Sequence, residues 1–305
     1  MNLVYIAGYG RSGSTVLERL ISWNPSIRAA GELRRLAELS MDPEAGCSCG
    51  ALLRECGFWG SVIEELFGNC DSMEDVKTYY SMQLAHESWR NWRLVRMKGG
   101  MEGALGSEYM EFLRKTLRVI ERRMAPEEKF LVDSSKTAYL SVCRPQCLAG
   151  TEACNIYVIH LVRDCRGVVW STKRGLNRNL EKGVRTSGQF AVLRAILGWV
   201  LANVAANRLR EFFPEDRYLR IRYEDLTSRR DEVLNEIGQF LGVRFDSKVM
   251  ESEQGLVTHQ IAGNRMRFRK VVRISTDKEW EKSLGWGAQV ATKLITYPLS
   301  RAYGY

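Results

Sequence analysis

One stretch near the start constrains this chain more than any other: Gly8-Tyr9-Gly10-Arg11-Ser12-Gly13-Ser14-Thr15. Before it lies Leu3-Val4-Tyr5-Ile6-Ala7, a short apolar run with β-branched residues and a Tyr, which predicts a buried strand. After it lies Val16-Leu17-Glu18-Arg19-Leu20-Ile21, apolar at 16, 17, 20 and 21, the spacing of a helix. A glycine-rich turn between a strand and a helix suits an anion. Glycines let the backbone fold around it, and the free N–H groups of the helix start point at it. The competing reading is a glycine-rich turn with no ligand. Gly8 and Gly13 are spaced as in the nucleoside-triphosphate loop and Thr15 closes the frame, but Ser14 stands where that loop carries its lysine. That lysine reaches the outer phosphates, so its absence argues against an ordinary ATPase or kinase. Arg11 offers a planar fork of donors instead.

At 305 residues, 45% apolar and 27% charged, the chain is long enough for a sizeable core. Strand and helix patterns alternate, which predicts a three-layer α/β domain with a mainly parallel sheet and a phosphate-binding loop after its first strand. A net charge of +9 favours anionic partners, whether nucleotide, nucleic acid or acidic substrate. The most apolar segment, residues 190–206, is interrupted by Arg194 and Asn203 and reads as a buried helix rather than a membrane span. No leader-like run precedes the loop, so the eight cysteines read as reduced thiols and a cytoplasmic location is expected.

The loop Arg11-Ser12-Gly13-Ser14-Thr15 resembles the 5′-phosphosulfate loop of sulfotransferases that use 3′-phosphoadenosine 5′-phosphosulfate (PAPS). The likeness is greatest to the carbohydrate and tyrosylprotein branches, where Arg replaces a Lys. It implies donor contacts from Gly10, Arg11, Ser12, Gly13, Ser14 and Thr15. Downstream, Asn24-Pro25 should stop the first helix, and 27–30 should form a second strand ending at Gly31-Glu32. A carboxylate leaving a strand beside a phosphate loop is well placed for chemistry. The resemblance makes Glu32 the general base, with a solvated first-turn residue as the alternative.

Residues 40–130 read as a mainly helical insertion within a single domain spanning 1–305, including a glycine-rich loop at 99–106 and a charged helix at 111–123. By resemblance it would shape the acceptor pocket. Cys47, Cys49, Cys56 and Cys70 match no metal-ligand spacing and have no His nearby in sequence, so buried or incidentally paired thiols are expected and no metal. Phe130-Leu131-Val132 begins another strand, whose polar end Asp133-Ser134-Ser135-Lys136 should face the loop anion. Lys136 is the candidate contact for the sulfuryl group; alternatively a serine caps the next helix and Lys136 faces solvent.

Residues 155–162 form the clearest strand, ending in Arg163-Asp164-Cys165-Arg166. Leu-Val-Arg-Asp after a strand, with Ser171 eight residues on, resembles the family's 3′-phosphate site and assigns Arg163 and Ser171 to it, with Arg174 close by. His160 reads as a core histidine. A long buried helix is expected over 188–213, a strand over 217–222, and a helix over 231–241 stopped by Gly242. Tyr223 in Arg-Tyr-Glu-Asp-Leu is implied to lie near the nucleotide, with Glu224 and Asp225 structural. The basic tail resembles the family's loop over adenine and 3′-phosphate, with Arg265 the best candidate, and a helix at 280–284 closes the domain.

The expected activity is sulfuryl transfer from PAPS to an acceptor hydroxyl on a small molecule, glycan or peptide by in-line displacement, with Glu32 as base and Arg11 and Lys136 stabilising charge. His259 or His86 would be the next candidate base. The alternatives are an ATP-dependent P-loop phosphotransferase and a basic nucleic-acid-binding protein; the second ranks last, because the charges sit at strand ends.

Overall fold

The computed structural model describes residues 1–68, 73–97, 106–181, 190–245, 258–269 and 276–305. Its strands are β1 (Asn2–Ala7), β2 (Ile27–Gly31), β3 (Phe130–Asp133), β4 (Asn155–Val162) and β5 (Tyr218–Arg222). They form one sheet in the order β2-β3-β1-β4-β5, and every pairing is parallel. The expected mainly parallel sheet is thus parallel throughout the described residues.

β1 lies at the centre and is buried on both faces. Leu3 and Tyr5 point into one core and Val4 and Ile6 into the other, as a period of two requires. The first core is closed by α3 (Trp59–Phe67), α4 (Met73–Glu87), α5 (Ser107–Glu121) and α6 (Arg144–Gly150), and the second by α1 (Ser14–Ile21) and α10 (Arg230–Leu241). Between these come α2 (Leu36–Ser40), α7 (Cys165–Glu181), α8 (Ala191–Phe212) and α9 (Tyr223–Ser228). Within 40–130 the described residues form α3, α4, α5 and short 3-10 turns, with irregular stretches at 41–52 and 122–129. The expected glycine loop, 99–106, lies outside the described residues except for Gly106.

α8 corrects one expectation. It runs for 22 residues and, by length and composition alone, is long and apolar enough to cross a membrane, although half of its apolar window is buried in this fold. Trp199, Ala202, Asn203 and Leu209 are fully or almost fully buried. Asn203 Oδ1 lies 2.8 Å from His160 Nε2, and His160 Nδ1 lies 2.7 Å from the Tyr218 hydroxyl. Burial pushes His160 down to about 4, so it is a neutral core histidine. A second helix, Trp286–Ala302, follows the expected short one, observed at Glu279–Ser283.

Candidate active site

All five strands deliver a residue to one cavity of about 610 Å³ at their carboxyl ends. The loop after β1 contributes Arg11 to Thr15 except Ser12, β2 is followed by Glu32, and β3 by Ser135 and Lys136. β4 is followed by Arg163 and β5 by Tyr223. The order explains the convergence. The chain leaves β1 for β2 on one side, returns to insert β3 between them, then crosses to β4. A crevice opens where the winding reverses, and open parallel sheets bind ligands there.

The loop is a strained turn. Gly8, Arg11 and Gly13 have φ of 117°, 68° and 94°, the left-handed region. Gly13 is required twice over, because a Cβ there would sit 2.4 Å from Cδ2 of the Tyr223 ring. Ser12 Oγ is buried with no hydrogen-bond partner among the described residues. The first turn of α1 therefore presents backbone donors around a tight concavity.

Glu32 lies beside Lys136, whose Nζ donates to Glu32 Oε1 at 2.5 Å and to the Ser134 carbonyl at 3.0 Å. Burial by itself would raise the Glu32 carboxyl, but Lys136, with Arg35 and Arg34, outweighs it and holds the group below the usual carboxylate value. Glu32 is therefore an ionised acceptor. Behind it, the fully buried Glu18 of α1 accepts the Gly31 N–H at 2.6 Å. The side chains of Ser134 and Gln260 also hydrogen-bond to it. One carboxyl thus ties together the loop helix, two strand ends and the 258–269 segment.

At the other end, Arg163 donates to the Arg11 carbonyl at 2.9 Å and to Asp277 at 3.2 Å, and its guanidinium lies 4.5 Å from the centre of the Tyr223 ring. Arg11 reaches the Ser171 carbonyl at 3.4 Å. Arg174 pairs with Glu279 at 2.5 Å and approaches Asp277 at 3.6 Å. Both carboxylates that line the cavity, Glu32 and Asp277, are thus engaged by cations.

Residues 155–247 match the model described as the sulfotransferase family. Two solved structures align over nearly all of this chain. The sulfotransferase domain from the curacin biosynthetic pathway is 20% identical, covering 98% of this chain and 97% of its own at a TM-score of 0.55. The sulfotransferase domain from a Synechococcus olefin synthase is also 20% identical, covering 100% and 95% at 0.54. A sulfotransferase from Mycobacterium avium is 14% identical, covering 99% and 76% at 0.51. Residues 155–247 are thus similar to the sulfotransferase family, and the chain shares the fold of these sulfotransferase domains. No curated protein matches its sequence.

The parallel sheet brings together most of the residues singled out in the sequence: Gly10, Arg11, Gly13, Ser14, Thr15, Glu32, Lys136, Arg163, Ser171 and Tyr223 all line the cavity. Ser12 and Arg265 do not: Ser12 is buried within the loop. Arg265 is exposed, and its neighbours Gly263, Asn264 and Met266 line the site instead, with the Asn264 N–H 3.3 Å from Thr15 Oγ1. Asp133 also departs from expectation. It is fully buried and accepts from Arg144 at 2.8 Å, while Arg144 bonds Glu87 at 2.5 Å, so it braces the fold beneath the site. Neither serine caps a helix: Ser134 serves Glu18, and Ser135 Oγ bonds Asp133 and accepts the Arg34 N–H at 3.0 Å. Glu224 is structural, as expected, accepting the Asp164 N–H at 3.1 Å and the Tyr305 hydroxyl.

Asp277, Arg34 and Arg35 are site residues the sequence reading missed. The arginines follow Glu32-Leu33 directly and could have been flagged as a basic pair; Asp277 belongs to no motif. No described residue from 40–130 lines this cavity; Tyr139 and Leu140 form its apolar rim. His86 stacks on Tyr109, and neither it nor His259 lines the cavity. His259 instead meets Cys47, Cys49 and Cys56, overturning the premise that these thiols have no imidazole near them.

Proposed function

We propose that this protein transfers a sulfuryl group from PAPS to an acceptor hydroxyl in a single in-line step. The observation that carries this reading is the one cavity shared by the Arg11 loop, the Glu32–Lys136 pair and Arg163. A doubly phosphorylated adenosine has anionic groups at two ends, and the site has a cationic or donor-rich cradle at two ends. The loop N–H groups at the start of α1 suit the 5′-phosphosulfate. Arg163, with Ser171 and Arg174 beside it, suits the 3′-phosphate.

PAPS supplies an electrophilic sulfur and a leaving group, adenosine 3′,5′-bisphosphate. The chain supplies the rest. Glu32, held ionised, takes the acceptor proton as the acceptor oxygen bonds to sulfur. Lys136 and Arg11 stabilise the charge that develops on the bridging oxygen as the old S–O bond breaks. Lys136 bridges both tasks, because its pairing with Glu32 already places an ammonium at the reacting end. The acceptor hydroxyl, on a small molecule, glycan or peptide, would enter past Tyr139 and Leu140. The reading requires no metal, and a cytoplasmic setting would supply the donor. An ATP phosphotransferase is disfavoured by Ser14 in place of the loop lysine and by the pairing of both cavity carboxylates with cations.

Calorimetry tests the nucleotide. Adenosine 3′,5′-bisphosphate should bind more tightly than adenosine 5′-monophosphate and than ATP with Mg²⁺; a preference for ATP, or indifference to the 3′-phosphate, refutes the proposal. Glu32→Gln should keep that affinity and lose roughly 10²–10⁴-fold in turnover, the usual worth of a general base. Retained turnover would place the base elsewhere.

A further inference from the structure

Outside the cavity, Cys47, Cys49, Cys56 and His259 each bring one ligand atom within 4.8 Å of the others. Cys49 Sγ lies 3.8 Å from Cys56 Sγ, and His259 Nδ1 lies 3.1 Å from Cys56 Sγ and 3.7 Å from Cys47 Sγ. With Zn–S near 2.3 Å and Zn–N near 2.0–2.1 Å, a tetrahedral centre has S···S edges of about 3.8 Å and S···N edges of about 3.6 Å. The Cys49–Cys56 and Cys47–His259 separations match those edges, the Cys56–His259 one is shorter, and all four atoms are close enough to converge on one ion. The observed separations are far longer than a disulfide, whose sulfurs sit about 2.05 Å apart.

The surroundings are built to hold these atoms. Cys47 and Cys49 sit on a tight turn in which the Cys47 N–H bonds Ala51 O at 2.9 Å and the Gly50 N–H bonds Cys47 O at 3.0 Å, with Gly50 at φ 97°. The Trp59 N–H points at Cys56 Sγ at 3.5 Å, the kind of outer contact that orients a metal-bound thiolate. The His259 ring is stacked on Phe58 with centroids 5.7 Å apart, and its carbonyl accepts from the Trp59 indole. Cys47 and Cys56 are buried, whereas Cys49 and His259 are half-buried, which leaves an entry path.

We propose that these four residues bind one zinc ion as a closed structural Cys₃His site. Three thiol protons pass to solvent as three thiolates and the neutral imidazole bond the metal, with no change of oxidation state. Zinc fits because the donors are soft sulfur with one imidazole, and because four protein ligands leave no open position for chemistry.

The role follows from what the site joins. Cys56 and His259 are 203 residues apart in sequence. Just beyond His259, the Ile261 N–H bonds Ala30 O at 2.9 Å and Ile261 O accepts the Glu32 N–H at 3.0 Å. Asn264 then reaches Thr15 of the loop. The metal would therefore clamp the segment that fixes both the Glu32 backbone and the loop, acting as a positioning centre rather than a catalytic one. This holds whether or not the reaction is sulfuryl transfer.

The test is metal analysis of the full chain purified under reducing conditions without chelator. The expected result is about one zinc per chain, and intense visible d–d bands with thiolate charge transfer after exchange with Co²⁺, the signature of a tetrahedral sulfur-rich site. Cys49→Ser and His259→Ala should each lower zinc content severalfold, while Cys154→Ser, outside the cluster, and Glu32→Gln should not change it. A zinc-free reduced chain that gives no such Co²⁺ spectrum would overturn the proposal, as would undiminished zinc in both cluster variants. Should those variants fail to fold, the wild-type Co²⁺ spectrum decides alone.

Discussion

Glu18→Gln isolates a buried charge behind the candidate base. Glu18 is 1% exposed, and burial pushes its carboxyl from an ordinary 4.5 up to about 7, against the lowering effect of Ser134, the Gly31 N–H, Gln260 and Lys136. A folded-state value above the unfolded one means that the folded chain holds this proton longer. The associated stability is fully present below the unfolded value, declines as pH rises through the interval, and is gone above the folded value. At about 1.36 kcal/mol per pH unit, the whole interval is worth about 3 kcal/mol. Glutamine keeps an oxygen for the Gly31 N–H and cannot ionise, so the variant lacks this slope. Urea unfolding of both proteins, at constant ionic strength from about pH 5 to about pH 8, reads the difference directly. The variant should gain about 2–3 kcal/mol relative to wild type across that range, whatever constant offset the substitution brings. Other titrating groups cancel in the comparison. A gap that stays constant with pH would show that Glu18 is already ionised throughout this window in the folded chain, as it is in the unfolded one, and the argument from burial would fail.

Gly13→Ala should abolish measurable binding of adenosine 3′,5′-bisphosphate by calorimetry and lower the melting temperature. The new Cβ would meet the Tyr223 ring at 2.4 Å and force a non-glycine residue to φ 94°, a conformation costing roughly 1–2 kcal/mol before the clash is counted. Arg144→Ala should destabilise the fold by about 3–5 kcal/mol in denaturant titration, because it strands the buried carboxylates of Asp133 and Glu87 without their cation. A loss under about 1 kcal/mol would show that the two acids accept protons and adapt.

Where a cavity-lining residue directly follows a strand, the local pattern locates it. Glu32, Lys136, Arg163 and Tyr223 each lie within a few residues of the carboxyl end of an apolar run, and such runs are visible at a period of two or as unbroken β-formers. The loop is legible for the same reason, since its glycines, the strand before it and the helix after it are neighbours in sequence. The helix Trp286–Ala302 shows where pattern fails. Its buried stripe is Thr292, Thr296 and Ser300, whose hydroxyls bond atoms of their own helix at 2.7–2.9 Å, while Trp286 and Leu294 are 80% and 71% exposed. Apolar periodicity points to the wrong face there, because hydroxyls satisfied within the helix can be buried without penalty.

The sequence by itself determined the strands, the glycine-rich loop and the identity of the residues at the strand ends, because those features depend on side-chain period and turn chemistry over ten residues or fewer. Tertiary structure alone decided that one cavity collects them, that Asp277 faces Arg163, that Glu18 lies behind Glu32, and that His259 meets three cysteines. Those contacts join segments up to 212 residues apart in the cysteine–histidine case, and only strand order and packing bring such segments together.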